Sequence, residues 1–470
     1  MQDNQTMIQS LIDKAKKAQQ QIENYTQEQI DEVCVAIGWE VYKDDQIKAL
    51  AELAVKETNM GNVNDKITKH KNKVLGVLKD IQGAKSVGLI ETDVAKKIRK
   101  YAKPVGVIGA LTPVTNPTAT PASNAITILK GRNAVIFAPH PKSKNASKLA
   151  VDYMRQGLKK VGAPEDLIQI IETPSVEATN LLMQAVDVVL ATGGGAMVKA
   201  AYSSGTPAYG VGPGNAIQII ADDADIDDAA AKVILSKKFD YATSCSSENS
   251  LIIQRTVYAR MIESLVQKGA VLLNQEDRLK LEHTLWPMNA KGYRSINPKI
   301  IAQSATSIAK QAGIDVPEDT QVLMVEGACD VENDFYSQEK LSPVLTLYQY
   351  DTFDQGYQLL KRITDHYGMG HSCGIHTHNQ ASIDYLGTHM KSSRIMVNQA
   401  QAPANGGAFF NGMPSTVSLG CGTWGGNITT ENIYYKHFLN ITWVSEFFEP
   451  IRPSDDDIFG ALHQKYPEGT

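Results

Sequence analysis

The chain opens with apolar residues at helical spacing. Ile8, Leu11, Ile12, Ala15, Ala18 and Ile22 fall on one face, and polar residues fill the rest, which predicts amphipathic helices over roughly the first 80 residues. After Gly131 the texture changes. NAVIFAPHP (133–141) is a short apolar run stopped by prolines, the mark of a buried parallel strand. SKNASKLAVDYMRQGLKKVG then predicts a helix opened by Ser143 or Asn145 and closed by Gly162. LIQIIET reads as the next strand, 175–185 as a helix, VDVVLATG as a strand, and a further helix starts near Ala196. Alternation of this kind builds an open, doubly wound α/β sheet. A second alternating region begins near Lys237, with QVLMVEG, SPVLTLYQY, GIHTH and RIMVNQ as strands, so a domain boundary is expected within 216–236. KSVGLIETDVAKKIRKYAKPVG, between the helices and the first sheet, alternates polar and apolar residues and reads as an exposed β-hairpin. Exposed strand edges invite pairing with another chain, which makes it a candidate oligomerisation element.

Composition narrows the class. At 470 residues, two or three domains are expected. A hydrophobic share of 43%, a charged share of 21% and a net charge of −5 fit a globular protein and suggest no nucleic-acid or membrane-surface partner. The polar start MQDNQTMIQSLIDKAKKAQQ lacks the apolar core of a signal peptide, and no apolar run is long enough to span a membrane. The five cysteines, Cys34, Cys245, Cys329, Cys373 and Cys421, are dispersed and form no CxxC pair. That argues against a disulfide framework or zinc site and for a reducing cytoplasm.

Four stretches carry candidate chemistry. In TSCSSENS, Cys245 has small hydroxylated neighbours instead of the aliphatic ones usual for a core cysteine. SSENS would open a helix whose N–H groups point at the sulfur and lower its pKa, making a nucleophile; a buried free cysteine is the plain alternative. In TPVTNPTATP, three prolines stiffen the backbone around Asn116, whose amide would then serve as an oxyanion donor, beside the plain reading of a Pro-rich loop. ATGGGAMVKAAY takes a strand through three glycines into a helix, a shape that cradles pyrophosphate without matching GxGxxG, and GVGPGN is a second Gly-rich turn. HSCGIHTHN holds His371, His376 and His378, but 376 and 378 alternate as on a strand and no carboxylate stands at ligand spacing, so a metal is not expected. His371 precedes the strand and is placed at a cleft.

TPVTNP, APHPKS, ATGGGAMVKAAYSSG, TSCSSEN, EKLSPVL, GMGHSCG and LGCGTWGGN, in that order, resemble the CoA-acylating aldehyde dehydrogenases. The chain is similar to the aldehyde dehydrogenase half of bifunctional aldehyde–alcohol dehydrogenases, and more so to stand-alone enzymes acting on sulfoacetaldehyde or succinate semialdehyde. The resemblance implies an aldehyde dehydrogenase-like α/β fold. A Rossmann-like cofactor domain would comprise 1–85 and 104–215, and a catalytic domain 216–425. A small β arm, 86–103 with 426–470, would join subunits into a dimer or dimer of dimers. It implies Cys245 as nucleophile, Asn116 as oxyanion donor and His371 as an aid to the thiol. Cofactor contacts are implied at Thr112 and Pro113, at His140 and Pro141, at Gly194 and Met197, at Gly212, and at Glu339 and Leu341. The implied reaction is reversible oxidation of a short aldehyde through a Cys245 thioester, with hydride passed to NAD or NADP and the acyl group to coenzyme A. Sulfoacetaldehyde or acetaldehyde is the expected substrate and succinate semialdehyde the alternative.

Two departures from the wider pattern carry consequences. Hydrolytic relatives have a glutamate that activates water where this chain has Val211 in GVGPGN, so a thiol acceptor is favoured over a hydrolytic enzyme. His140 stands where those enzymes often have a ribose-contacting lysine, and Lys142 or Lys144 would approach a 2′-phosphate, which leaves NAD versus NADP open. The loop NGGAFFNGMPS (405–415) is expected to shape the acyl pocket, with hydroxyls of Thr243, Ser244 and Ser246, together with Arg394, meeting an anionic tail.

Overall fold

Four helices come first: α1 (Gln2–Ile22), α2 (Gln27–Tyr42), α3 (Asp44–Thr58) and α4 (Val63–Ile81). The computed structural model describes residues 2–466; residue 1 and residues 467–470, the extreme ends of the expected domains, lie outside them. Ile8, Ile12, Ala15, Ala18 and Ile22 are buried, as their spacing predicts. Helix α2 opens with a capping box, in which Thr26 Oγ1 accepts the Gln29 N–H and Gln29 returns the bond to the Thr26 N–H. Asn62 caps α4 by accepting the Asp65 N–H at 2.9 Å. The buried face of α4 is unusual in carrying Lys66 and His70 beside Val74, Val77 and Ile81.

Strands β1 (Gly88–Asp93) and β2 (Ile98–Pro104) form the expected hairpin. The first α/β unit follows as β3 (Val107–Thr112), α5 (Ala119–Lys130), β4 (Ala134–Pro139), α6 (Lys144–Lys160), β5 (Ile168–Ile170), α7 (Val176–Ala185), β6 (Val188–Thr192), α8 (Gly195–Tyr202) and β7 (Ala208–Val211). Its five strands run parallel in the order β5-β4-β3-β6-β7. Every residue of β3, β4 and β6 is buried, because helices cover both faces of a parallel sheet.

The next strand, β8 (Ala216–Ile220), belongs to a different sheet. It is followed by α9 (Ile226–Lys238), β9 (Glu248–Gln254), α10 (Arg255–Gln267), β10 (Ala270–Leu272), α11 (Gln275–Leu285), α12 (Ala305–Ala312), β11 (Val322–Glu326), β12 (Val344–Tyr350), α13 (Phe353–His366), β13 (Cys373–His376), α14 (Gln380–His389), β14 (Ile395–Val397) and α15 (Gln401–Ala404). These seven strands are parallel in the order β10-β11-β12-β9-β8-β13-β14. The helix expected after Cys245 is absent, and Glu248 onward is β9 instead. Leu251, Ile252 and Ile253 pair with β8 on one side and β12 on the other, and that two-sided ladder overrides the local capping signal of SSENS.

Strand β15 (Leu439–Ser445) returns to pair antiparallel with β2, from Leu439 opposite Pro104 to Ser445 opposite Ile98. A three-stranded sheet β1-β2-β15 results, and α16 (Asp455–Lys465) follows it. No helix among the described residues is long and apolar enough to cross a membrane.

Loops leaving the C-terminal ends of β3, β4, β6 and β7 line one side of a cavity of about 540 Å³, and loops entering the N-terminal ends of β9 and β12 line the other. Ligands usually sit beyond strand C-termini, a rule that only the five-stranded sheet follows here.

Candidate active site

Cys245 lies on this cavity, in a turn closed by the Ser247 N–H to Ser244 O at 3.0 Å. The approach to it is strained. Asp240, Tyr241 and Ala242 all have left-handed φ, at 49°, 53° and 59°. A fully buried carboxylate pins this segment. Asp240 Oδ1 accepts the Asn62 N–H at 3.1 Å, and Oδ2 accepts from Lys66 Nζ at 3.1 Å, Lys69 Nζ at 2.6 Å and Thr243 Oγ1 at 2.9 Å. From the other side Gly214 packs so closely that a Cβ there would lie 2.1 Å from Cys245 O.

Behind the sulfur stands His371, fully buried, with Nε2 at 3.1 Å from Cys245 Sγ. Its Nδ1 is 2.9 Å from Ser372 Oγ. With Nδ1 protonated and donating to Ser372, Nε2 is free to accept the thiol proton; this tautomer is assigned from the bonding partners. Burial, helped by the nearby Arg394 charge, pushes the imidazole down to about 3. Burial also pushes the Cys245 thiol up to about 12, reinforced by Glu339 and Cys421 and opposed by Arg394. The helix N-terminus expected to lower that pKa does not exist. At rest the pair is a neutral thiol beside a neutral imidazole, with Nε2 the nitrogen nearest the sulfur.

Asn116 also lines the cavity. Its Oδ1 accepts from Lys69 Nζ at 3.0 Å, so the ammonium fixes the amide and leaves its NH₂ as the donating end. The sequence reading did not single out Lys69. Its only trace there is a lysine at 69, 73 and 66 on a helix whose adjoining face is core.

Of the implied cofactor contacts, Pro113, His140, Gly194, Met197, Gly212, Glu339 and Leu341 line the cavity. Thr112 and Pro141 do not. Thr112 is the last residue of β3 and is fully buried beneath the cleft, whereas Pro141 starts the turn into α6 and faces outward. Lys142 and Lys144 are also outside the lining. A dinucleotide fits what remains. A Cβ on Gly194 or Gly195 would meet nothing within 4 Å, so the β6–α8 turn is open, and Glu339 Oε1 is buried without a partner, ready to accept a hydroxyl. Burial raises the Glu339 carboxyl to about 8, while Lys237 and the Gly214 N–H oppose the shift.

Arg394, expected at an anionic tail, is elsewhere. It is buried, and its guanidinium donates to His371 O at 2.9 Å, Gly420 O at 2.8 Å, Thr430 O at 3.3 Å and Asn432 Oδ1 at 3.2 Å. It tethers the His371 segment to the 420–432 loop. The 405–415 loop does reach the cavity through Gly406, Gly407, Ala408, Phe409, Phe410 and Ser415, opposite Lys69, Asn72, Lys73 and Gly76 of α4. Cys34, Cys373 and Cys421 are buried free thiols and Cys329 is exposed. No cluster of three metal-ligating side chains occurs among the described residues.

The Cys245–His371 thiol–imidazole pair thus sits on a cavity that Asn116 also lines. The aldehyde dehydrogenase family model matches residues 1–434. This chain belongs to the aldehyde dehydrogenase family. It is 68% identical over 454 residues to a sulfoacetaldehyde dehydrogenase from Acholeplasma sp., covering 97% of this chain and 94% of that one. An acetylating aldehyde dehydrogenase from Geobacillus thermoglucosidasius superposes with a TM-score of 0.91 at 35% identity, over 96% of this chain and 99% of that one. A propionaldehyde dehydrogenase from Rhodopseudomonas palustris, solved with bound CoA and an acylated cysteine, superposes with a TM-score of 0.84 at 26% identity, over 93% and 97% of the two chains. Within this aldehyde dehydrogenase, Val211 lines the cavity, and Glu339 is the one carboxyl among the described lining residues.

Proposed function

We propose that this aldehyde dehydrogenase is CoA-acylating and converts sulfoacetaldehyde, with NAD or NADP and coenzyme A, to its acyl-CoA. The observation that carries the acylating reading is the apolar wall around the nucleophile. Val211 occupies the place of a water-activating carboxylate, and the Glu339 carboxyl already holds the Gly214 N–H. An acyl group on Cys245 therefore meets no poised base for water, whereas a thiol acceptor needs little activation. The substrate follows the 68% identical relative.

In this reading the Cys245 S–H proton passes to His371 Nε2 as sulfur bonds to the aldehyde carbon. The carbonyl electrons move to oxygen, and the Asn116 NH₂, held in place by Lys69, donates to that oxyanion. When bound, the nicotinamide supplies the acceptor for the hydride leaving that carbon. Cys245 keeps the acyl group as a thioester, hands it to the CoA thiol and returns to the thiol form. Glu339 and the open β6–α8 turn hold the dinucleotide; His140, Pro113, Met197, Gly212 and Leu341 wall its cleft.

The arm β1-β2-β15 joins this chain to a second copy, a role favoured by the exposed Trp443, Phe447 and Ile451 at its end. Five unpaired cysteines favour a cytoplasmic setting. Absorbance at 340 nm with sulfoacetaldehyde, CoA and either nucleotide tests the reaction, with mass analysis for the acyl-CoA. Sustained turnover to free acid without CoA would refute the acylating reading. Cys245→Ala is expected to abolish turnover in both directions, and retention of more than about one-hundredth of the rate excludes it as nucleophile.

A further inference from the structure

Helix α4 puts a second cationic group on the cavity, one turn beyond Lys69. All three donors of Lys69 are used, by Asn116 Oδ1, Asp240 Oδ2 and Thr243 Oγ1. Lys73 differs. Its ammonium donates to Gly406 O at 2.5 Å and Gly407 O at 3.3 Å, and among the described residues no carboxylate lies within ion-pair distance. Two carbonyls use two of its three donors, and the side chain lines the cavity. A Cβ at 406 would sit 2.6 Å from Thr416 O and 2.7 Å from Lys73 Nζ, so the backbone and the ammonium both press on this glycine. Gly407 adopts φ +77°, which bends the same loop around the ammonium. The surroundings are otherwise apolar or small, with Gly76 on α4 and Ala408 and Phe409 on the loop.

The charged and titratable groups facing Lys73 are Lys69 on its own helix, Asp80 two turns further on, and Cys245 across the cavity. Asp80 is engaged elsewhere, with Oδ2 accepting the Ser415 N–H at 2.5 Å. Burial and Lys69 pull the Lys73 ammonium down to about 8, the sign of a cation short of counter-charge. Lys73 and Cys245 line the same cavity, so an aldehyde bound at the sulfur can turn its far end toward the ammonium.

We propose that Lys73 is the specificity-determining residue for an anionic terminus, sulfonate or carboxylate, on the aldehyde. This rests on the reading of the chain as an acylating aldehyde dehydrogenase. The free Lys73 donor meets the anion, and the Gly406 and Gly407 carbonyls aim the ammonium. Arg394, the sequence-based candidate, does not line the cavity, and its two NH₂ groups donate to three backbone carbonyls and Asn432 Oδ1.

The test compares kcat/KM for sulfoacetaldehyde, succinate semialdehyde and propionaldehyde in the wild type, Lys73→Met and Lys73→Arg. In Lys73→Met the preference for an anionic over a neutral aldehyde is expected to fall about 30-fold, chiefly through KM, the loss typical of one charge-assisted hydrogen bond. Lys73→Arg is expected to recover most of it. The sulfonate and carboxylate arms identify which anion the pocket takes. Calorimetric binding of ethanesulfonate to the wild type, and its loss in Lys73→Met, reads the site without turnover. An unchanged preference, a wild type that favours propionaldehyde over both anions, or equal ethanesulfonate binding by wild type and Lys73→Met would overturn the proposal. If no aldehyde is turned over while ethanesulfonate binding depends on Lys73, the anion site stands and the reaction assignment fails.

Discussion

Gly214→Ala isolates the packing that positions Cys245, the proposed nucleophile. The added Cβ would lie 2.1 Å from Cys245 O, 2.8 Å from Cys245 C and 2.9 Å from Cys245 Cβ. A tolerable contact begins near 3.4 Å, so one of the two segments has to move by about 1.3 Å. The Gly214 side is the stiffer. Its N–H is held by Glu339, and the next residue, Asn215, donates to Ser337 O at 2.8 Å and Tyr367 O at 3.1 Å while Gly368 packs behind it. The Cys245 turn therefore yields, and the 3.1 Å contact with His371 opens. A misplacement of about 1 Å at a reacting group costs roughly 100-fold in rate, or about 2.7 kcal/mol of barrier. The assay is the pre-steady-state burst of reduced nucleotide at saturating aldehyde, with the thermal midpoint followed in parallel. Gly387→Ala on α14, where a Cβ meets nothing within 4 Å, is the control and should change neither measurement adversely. A Gly214→Ala burst within about threefold of wild type, in a protein of unchanged stability, would show that this glycine does not set the geometry of the thiol.

Three further outcomes follow from the same site. His371→Ala should slow the burst by about 10²-fold or more while leaving the overall fold intact, because the neutral imidazole is the proton acceptor nearest the sulfur; a burst of wild-type size removes it from the mechanism. Alkylation of Cys245 by iodoacetamide, followed by peptide mass analysis with the exposed Cys329 as internal comparator, should accelerate about tenfold per pH unit from 7 to 10 without a plateau. The sign follows from a folded thiol raised to about 12, so that the thiolate is scarce at neutral pH and grows throughout the range; a plateau below pH 8 contradicts it. Asp240→Asn leaves the Lys66 and Lys69 ammoniums without their shared carboxylate and should cost about 3–5 kcal/mol by urea unfolding, whereas a loss under 1 kcal/mol shows that other groups hold that segment.

What the sequence could show divides by the distance over which the deciding interaction acts. Strands β4, β5 and β6 of the five-stranded sheet were legible because a strand covered on both faces must be apolar throughout, as β4 and β6 are. Cys245 was legible by its neighbours, since small hydroxylated residues leave room that a core cysteine does not need. SSENS misled for a physical reason: Ser and Asn favour caps locally, but β9 gains ladders on both sides from strands that the capping signal cannot report. Arg394 misled because a lone arginine carries no sign of whether carbonyls will gather around it. Lys69 and Lys73 were invisible for the opposite reason. Lysine on an amphipathic helix normally points to water, and what turns these two inward arrives from far along the chain. Asp240 reaches Lys69 across 171 residues and Gly406 reaches Lys73 across 333. Cys245 and Asn116 stand out locally by their neighbours, while the group proposed to meet a substrate's far end, Lys73, is placed by tertiary approach. Reaction class is thus written in short motifs and substrate choice in the packing between them, and a change confined to the Gly406–Gly407 loop should alter which aldehyde is accepted before it alters what is done to it.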